Sequence, residues 1–510
     1  MAATVAARLL GLLRQMVIGR LFGTTIAMDA FAAANIVTET LYLVVAGGAL
    51  ASAFIPVFTG LLTRGDRHGA WRLASQIANL IFLVVALFSV LTGLLAKPIV
   101  ARLLAPSMSF EGQVLTVELL RTMLVATVVF SISGLLMGIL NAQQHFLLPA
   151  LAPILYNLGI IGGAVLLAPT LGIRGVALGV VVGAFLHLLV QLPGLRGRGA
   201  SYHWGWGWSN PSVRQVARLM GPRVLGLAVT RVNFWVNTNL ASAFGEGAVS
   251  ALDYAMRVML LPLGVAAQAV GIAAFPTFAE LVARGETNEV QRTISSTLRG
   301  VWYLVLPAAV GLLVLRTQII RLLFERGEFT AISTASVSWA LAFYTIGLPG
   351  HAFLEILVRA FYAMHDTKTP VAIGSAAMAL NVALSIGLSR LFLALGSSDV
   401  AHGGLALANS VATLIETAWL LVLLRRRLGG IQGRWLLTGV AKSSTAAGGM
   451  GAAIWIWLNR MTAHLPALWL AGGGIVVGTA AYLAIGAAMR SEELALLRRF
   501  LARVHGPASE

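Results

Sequence analysis

The sequence predicts an all-α polytopic membrane protein with about fourteen transmembrane helices, and three observations carry that expectation. Of its 510 residues 58% are hydrophobic and 11% charged, with a mean hydropathy of +0.85, far more apolar than a water-soluble domain. Apolar runs of about twenty residues recur along the whole chain, the length that a bilayer core demands of a helix. Runs such as 81–95 are continuous rather than alternating, which selects helices over the strands of a closed barrel. Finally, Lys and Arg gather in alternate short loops, the pattern that keeps positive charge on the cytoplasmic side. This placement accounts for the net charge of +17 without a nucleic-acid partner.

A first lobe, residues 1–195, should hold helices at 3–22, 28–62, 74–103, 115–142, 149–169 and 174–194. Arg64, Arg67 and Arg72 follow the second helix, and Arg196, Arg198, Arg214 and Arg218 flank the break after the sixth, so these loops face the cytoplasm. The turns 104–114 and 170–173 carry no Lys or Arg and face outward. Residues 196–213 read as a cytoplasmic, interfacial linker, because Trp204, Trp206 and Trp208 alternate with glycine and indoles favour the headgroup level.

A second lobe, 214–424, should hold helices at 215–243, 248–283, 293–323, 332–364, 370–394 and 403–424. The run Arg425-Arg426-Arg427 returns the chain to the cytoplasm. Two extra helices near 435–458 and 467–489 occupy the segment 435–490, and 491–510 form a basic cytoplasmic tail, with both termini inside. Arg8, Arg14 and Arg20 interrupt what would be the apolar core of a signal peptide, so the first helix is expected to remain in the mature protein. The chain has no cysteine, which excludes disulfides, a thiolate nucleophile and cysteine-based metal sites.

The two lobes repeat one another. Phe54-Ile55-Pro56-Val57-Phe58 followed by Arg64-Gly65 recurs as Phe275-Pro276-Thr277-Phe278 followed by Arg284-Gly285. Asp29-Ala30-Phe31 recurs as Asp253-Tyr254-Ala255, the stretch 142–149 as 363–370, and Gly175-Val176-Ala177-Leu178 as Gly404-Leu405-Ala406-Leu407. An even number of helices per repeat makes the halves parallel, an architecture of transporters with the substrate site between repeats. An ATP-driven pump is disfavoured, since no G-x-x-x-x-G-K-[ST] occurs. A polytopic glycosyltransferase needs carboxylates or histidines near an exposed loop, and five aspartates without a close acidic pair in a large outer loop speak against one.

The run Leu10-Gly11-x-x-Arg14, then Phe22-Gly23, Asp29-Ala30-Phe31 and Gly48-Ala49-x-x-Ser52-Ala53-Phe54-x-Pro56 resembles the N-terminal signature of the MurJ/MviN lipid II flippases of the multidrug/oligosaccharidyl-lipid/polysaccharide exporter superfamily. The resemblance continues in Tyr254-Ala255-x-Arg257, in Phe324-x-x-Gly327-x-Phe329 and in Phe361-Tyr362-Ala363-x-x-Asp366-Thr367-x-Thr369-Pro370, covering nearly the whole chain. It implies two six-helix lobes forming a V around a central cationic cavity, with two extra C-terminal helices. It also implies a substrate, undecaprenyl-pyrophosphate-linked muropeptide, moved from the cytoplasmic to the outer leaflet of the bacterial plasma (inner) membrane. Membrane lipids and cell-wall synthesis proteins are the implied partners, and nucleic acid is not one. A flippase for another polyprenyl-linked glycan is the alternative, ahead of a drug antiporter of the same superfamily.

Under that resemblance Arg14 is the leading pyrophosphate ligand, since a guanidinium holds two phosphate oxygens through parallel hydrogen bonds. An arginine at the centre of a membrane helix costs about 2.5 to 3.5 kcal/mol. At 100° per residue Arg8, Arg14 and Arg20 point about 120° apart, so Arg8 and Arg14 are assigned to the cavity and Arg20 to the interface. Arg257 matches a family cavity arginine, although Asp253 at the favourable i−4 position offers it a neutralising partner. Asp29, Glu39 and Asp253 are assigned to gating or charge balance, and Gln15, Tyr42 and Arg231 are further cavity candidates. Gln15 stands where the family usually has an acidic residue, and Tyr42-Leu43 and Gly47 where it has an arginine pair and a glutamate. No cofactor is expected; a sodium ion is an open candidate, with Asn237, Asn381 and Ser410 as its candidate ligands. Glu355 and Arg359, also at i,i+4, read as a structural pair, and Lys442 as an interfacial anchor.

Overall fold

The computed structural model describes residues 2–45, 48–396, 398–462 and 464–494, and among these every regular element is helical. The longer helices, in chain order, are α1 (Ala2–Phe22), α2 (Ile26–Val45), α3 (Gly48–Thr63), α4 (Arg67–Leu94), α5 (Phe110–Ala142), α6 (Leu147–Leu171), α7 (Ile173–Leu195) and α8 (Pro211–Ala241). There follow α9 (Ala248–Ala283), α10 (Thr287–Phe324), α11 (Ala331–Ala363), α12 (Lys368–Leu395), α13 (Ser398–Arg427), α14 (Gly433–Met461) and α15 (Ala467–Ala488). The basic tail is described only as far as residue 494, so Arg498 and Arg499 lie outside the described residues, as does Gly47.

Several helices start before their expected positions because polar caps extend them. Asp66 accepts the Gly69 N–H at 2.7 Å and sets α4 seven residues early, which brings Arg67 and Arg72 into the helix. Ser109 accepts from Gly112 at 3.2 Å at the head of α5, and Asn210 from Ser212 at 3.0 Å beside Pro211 at the head of α8. Such side chains satisfy N–H groups that a helix's first turn leaves without partners.

Among the described residues, ten helices are long and apolar enough to cross a membrane: α4 to α7, α9 to α13 and α15. The expected count of about fourteen is not reached by that measure. α1 carries Arg8, Arg14 and Arg20, α2 carries Asp29 and Glu39, and α8 and α14 also hold basic residues within their length. Charge inside a helix lowers its hydropathy, and Arg8, Arg14, Asp29, Glu39 and Arg231 among these charges are site candidates.

The chain divides into two compact units. One comprises the described residues up to Ser250 together with 326–330; the other comprises 251–325 and the described residues from 331 onward. In the first, Phe54, Phe58, Trp71, Leu73 and Leu135 join α3, α4 and α5 in one core. Phe54 stacks on Phe58 at 5.1 Å, and Phe58 meets the edge of Trp71 at 5.9 Å. In the second, Tyr303, Leu315, Met450, Ile454 and Tyr482 join α10 to α14 and α15. Lipid tails are as apolar as these side chains, so close contact rather than water exclusion holds membrane helices together. The packing of α6 on α7 shows this directly: a Cβ on Gly159 would lie 2.4 Å from the Gly183 Cα.

The linker is a strap on α4. Its backbone is held by α4 side chains, with Asn79 donating to the Gly205 carbonyl at 3.0 Å and the His203 N–H donating to the Ser75 hydroxyl at 3.1 Å. Trp204, Trp206 and Trp208 are exposed.

Candidate functional site

In the first unit α1 carries Arg8, Arg14 and Arg20, α2 carries Asp29 and Glu39, and α8 carries Arg231. α1 is one continuous helix, so Arg8, Arg14 and Arg20 keep their divergent directions; Arg14 is half-buried while Arg8 and Arg20 are exposed. Gln15 beside Arg14 is buried. Arg20 also contributes its backbone, accepting the Glu328 N–H at 2.9 Å.

That backbone contact explains two motif glycines. Gly23 (φ +53°) and Gly327 (φ +61°) both adopt left-handed conformations, and each faces the other's strand of chain. A Cβ on Gly23 would lie 2.3 Å from the Glu328 carbonyl oxygen, and one on Gly327 would lie 2.4 Å from that of Arg20. Only glycine fits both the dihedrals and the approach.

Asp29 is buried, and its two carboxylate oxygens accept the N–H groups of Gly247 and Ser250, each at 2.7 Å. These are the N–H groups at the head of α9. In return Glu246 accepts the Ile26 N–H at 2.7 Å at the head of α2. Asp29, expected to serve gating or charge balance, thus caps the start of α9. Glu246 escaped the sequence reading, because nothing local marks a loop glutamate as the partner of a helix start more than two hundred residues away.

Farther along α2, Glu39 gathers a polar group. Asn35 donates to it at 3.1 Å, and Arg231 of α8 approaches at 3.5 Å while also lying over the Phe234 ring at 5.2 Å. Trp235 donates to Thr40 at 3.0 Å. Glu39 and Tyr42 line a crevice of about 210 Å3 between α2 and α5, with Asn35, Thr127, Phe130 and Tyr156. Tyr42 tilts against Phe130 at 5.7 Å. The structure thus brings together Glu39, Tyr42 and Arg231 out of the sequence candidates.

In the second unit Arg257 donates to Asp253 at 2.8 Å, one turn apart on α9 and both half-buried. The neutralising partner offered by the spacing is taken. Glu355 and Arg359 of α11 are paired in the same way. Among the sodium candidates, Asn237 donates to Asn233 at 2.7 Å, Ser410 donates to the Phe343 carbonyl at 2.6 Å, and Asn381 is buried near Ser385 at 3.5 Å. No group of three or more His, Cys, Asp or Glu residues that could hold a metal ion occurs among the described residues. Lys442 points to the Arg490 carbonyl at 3.5 Å, near the end of α15.

The Asp366-Thr367-x-Thr369-Pro370 motif turns the chain between α11 and α12. Asp366 accepts from the Thr369 hydroxyl at 2.7 Å and from the N–H groups of Thr369 and Lys368 at 3.0 and 3.1 Å, and it pairs with Arg427 at the end of α13. These hydrogen bonds, the Thr369 hydroxyl foremost and Arg427 after it, hold its carboxyl below the ordinary aspartate range.

A family model described as lipid II flippase MurJ matches residues 18–471. The chain belongs to the MurJ family. A probable lipid II flippase MurJ of Rhizobium meliloti (strain 1021) is 31% identical over 98% of this chain and 95% of its own length. The lipid II flippase MurJ of Burkholderia cenocepacia is 32% identical over 83% of this chain and 82% of its own. A solved structure of lipid II flippase MurJ in an inward closed conformation superposes with a TM-score of 0.81 at 24% identity, over 96% of this chain and 98% of that one. An inward-facing multidrug transporter of the MATE family superposes with a TM-score of 0.69 at 13% identity, over 83% of this chain and 94% of that one. The MurJ fold is therefore shared along nearly the whole chain, and the expected relation to multidrug exporters holds at the level of fold. Membership in MurJ makes the chain a transporter rather than an enzyme.

Proposed function

We propose that the chain is a lipid II flippase of the bacterial inner membrane, with both termini cytoplasmic, that carries undecaprenyl-pyrophosphate-linked muropeptide from the cytoplasmic to the outer leaflet by alternating access. The observation that carries this reading is the MurJ match over residues 18–471 in a chain whose first helix keeps Arg8, Arg14 and Arg20 within 21 residues. Intramembrane arginines persist where they meet a charged substrate or a water-filled path. Arg8, Arg14 and Arg257 bind the pyrophosphate in this reading, while the isoprenoid stays in lipid.

Anion movement outward across an inside-negative membrane releases about 2.3 kcal/mol per elementary charge per 100 mV, so the membrane potential is the proposed driving force. A sodium ion at Asn237, Asn381 or Ser410 is a further proposal, and replacement of sodium by potassium in the same assay tests it. The deciding experiment is translocation of lipid II in vesicles by Arg14→Ala. Transport should be lost while membrane expression matches wild type, and transport at the wild-type rate would remove Arg14 from the site.

A further inference from the structure

The second unit holds a crevice that the arginine-based reading leaves unused. It encloses about 500 Å3 between α9 and α11, with Leu263, Ile272 and Phe275 forming an apolar wall on the α9 side. The α11 side presents His351, Glu355, Arg359 and Tyr362, with apolar Leu354 and Val358 beside them. His351, Glu355, Arg359 and Tyr362 follow one another at intervals of four, four and three along α11, which sets them on one helix face. A membrane helix that buried this face against a neighbour would carry apolar residues there. An ionisable stripe belongs instead to a wet cavity or a ligand path.

The stripe is organised. Arg359 donates to the Glu355 carboxylate and to its carbonyl oxygen, and Gln268 of α9 approaches the same carboxylate at 3.4 Å. His351 is held from behind, its Nε2 lying 3.2 Å from Asn409 Oδ1. The side chains of Glu355 and Arg359 remain 25% and 23% exposed, so a molecule in the crevice reaches them.

The internal repeat supports a ligand rather than a packing fault. Counting from Asp29 and Asp253, Glu39 corresponds to Leu263; counting from Ala142 and Ala363, Phe130 corresponds to His351. Glu39 and Phe130 line the α2–α5 crevice of the first unit, and Leu263 and His351 line this one. Corresponding helices, α2 and α5 in one unit and α9 and α11 in the other, thus each line a crevice, with a carboxylate supplied by α2 in the first and by α11 in the second.

We propose that the α9–α11 crevice is a second ligand subsite, which takes a short peptide bearing both a free carboxylate and a free amine. The Arg359 guanidinium turns from Glu355 to the peptide carboxylate, the Glu355 carboxylate takes the ammonium, and aliphatic parts of the peptide lie on Leu263, Ile272 and Phe275. A zwitterion replaces both partners of the ion pair at once. A lone anion or cation would leave one member of this partly buried pair uncompensated, which is unfavourable, and an isoprenoid or acyl chain would gain nothing from the polar stripe. The inference rests on the lipid II reading, since the muropeptide of that lipid supplies such a peptide.

The test uses the full-length protein in liposomes and two probes, lipid II and the same polyprenyl-pyrophosphate disaccharide without its peptide. Wild type should half-saturate at a concentration about tenfold lower with lipid II, the scale of one charge-assisted hydrogen bond. Glu355→Leu/Arg359→Leu should treat the two lipids alike and move the peptide-free lipid at the wild-type rate. The exchanged pair Glu355→Arg/Arg359→Glu should recover part of the preference. Persistence of the full preference in the leucine variant overturns the subsite. If that variant fails to move either lipid, the exchanged pair decides, and an equal loss on both lipids marks a merely structural pair and overturns the proposal. Equal handling of both lipids by wild type removes the subsite while the flippase reading stands; movement of neither lipid by wild type removes both.

Discussion

Asp29 and Glu246 cap each other's helices: Asp29 accepts the N–H groups of Gly247 and Ser250 where α9 begins, and Glu246 accepts that of Ile26 where α2 begins. Both contacts of Asp29 are at 2.7 Å, and its carboxylate is buried. The N-terminal end of a helix favours negative charge, so one exchange satisfies two helix starts. Asp29→Ala should leave two buried donors unmet, at about 1 to 3 kcal/mol for each, and lower the apparent melting temperature in detergent. Asp29→Asn should fall between Ala and wild type, because it keeps one acceptor oxygen. An alanine variant that melts with wild type would refute the capping role.

Gly23→Ala should disrupt the contact with the 326–329 turn. A left-handed alanine costs about 1 to 2 kcal/mol, and its Cβ would fall 2.3 Å from the Glu328 carbonyl oxygen. Because that neighbour is backbone, the turn itself must move. Gly65→Ala is the control: it shares the positive φ but has open space around it. Thermal unfolding should separate the two, with the larger loss at Gly23.

Arg299 is almost fully buried, with its guanidinium paired to Glu492 at 3.2 Å and to Glu493, and lying 4.1 Å from the Trp435 ring. Removal of one member of a buried pair costs about 3 to 5 kcal/mol, because the other charge is left without compensation. Glu493→Leu should therefore destabilise strongly, and Arg299→Leu/Glu493→Leu should be milder than the sum of the single variants. Additive losses in a double-mutant cycle would show that the pair is not coupled.

Asp366 provides a pH prediction with a definite sign. Its folded carboxyl is held below the ordinary aspartate value of about 3.9. A group depressed in the folded state stabilises above its unfolded value, and that contribution disappears as pH falls through the folded value. Wild type should lose apparent melting temperature on acidification through and below about pH 4, and Asp366→Asn should lose less over the same interval, starting from a lower value at neutral pH. Parallel pH profiles for the two proteins would count against it.

Much of the fold was legible because a membrane helix announces itself. Its backbone must be satisfied internally, so spans appear as apolar runs and loops as basic or turn-forming breaks. The starts of α4 and α8 moved outward by several residues because Asp66 and Asn210 cap them, and caps belong to local geometry that hydropathy does not register. The Asp253–Arg257 and Glu355–Arg359 pairs were legible from their i,i+4 spacing alone. Arg299 was not, since its partners lie near the end of α15 and its ring contact in α14.

The sequence by itself determined the helical membrane class, the internal repeat, the divergence of Arg8, Arg14 and Arg20, and the MurJ-like motifs, because each follows from order and spacing along one chain. The tertiary structure alone decided what the charges meet. It turned Asp29 into a cap for Gly247 and Ser250, set Arg231 against Glu39, and opened a crevice before Glu355 and Arg359. The physical reason is that a buried charge is settled by its partner, and these partners or walls come from helices that only folding brings within reach.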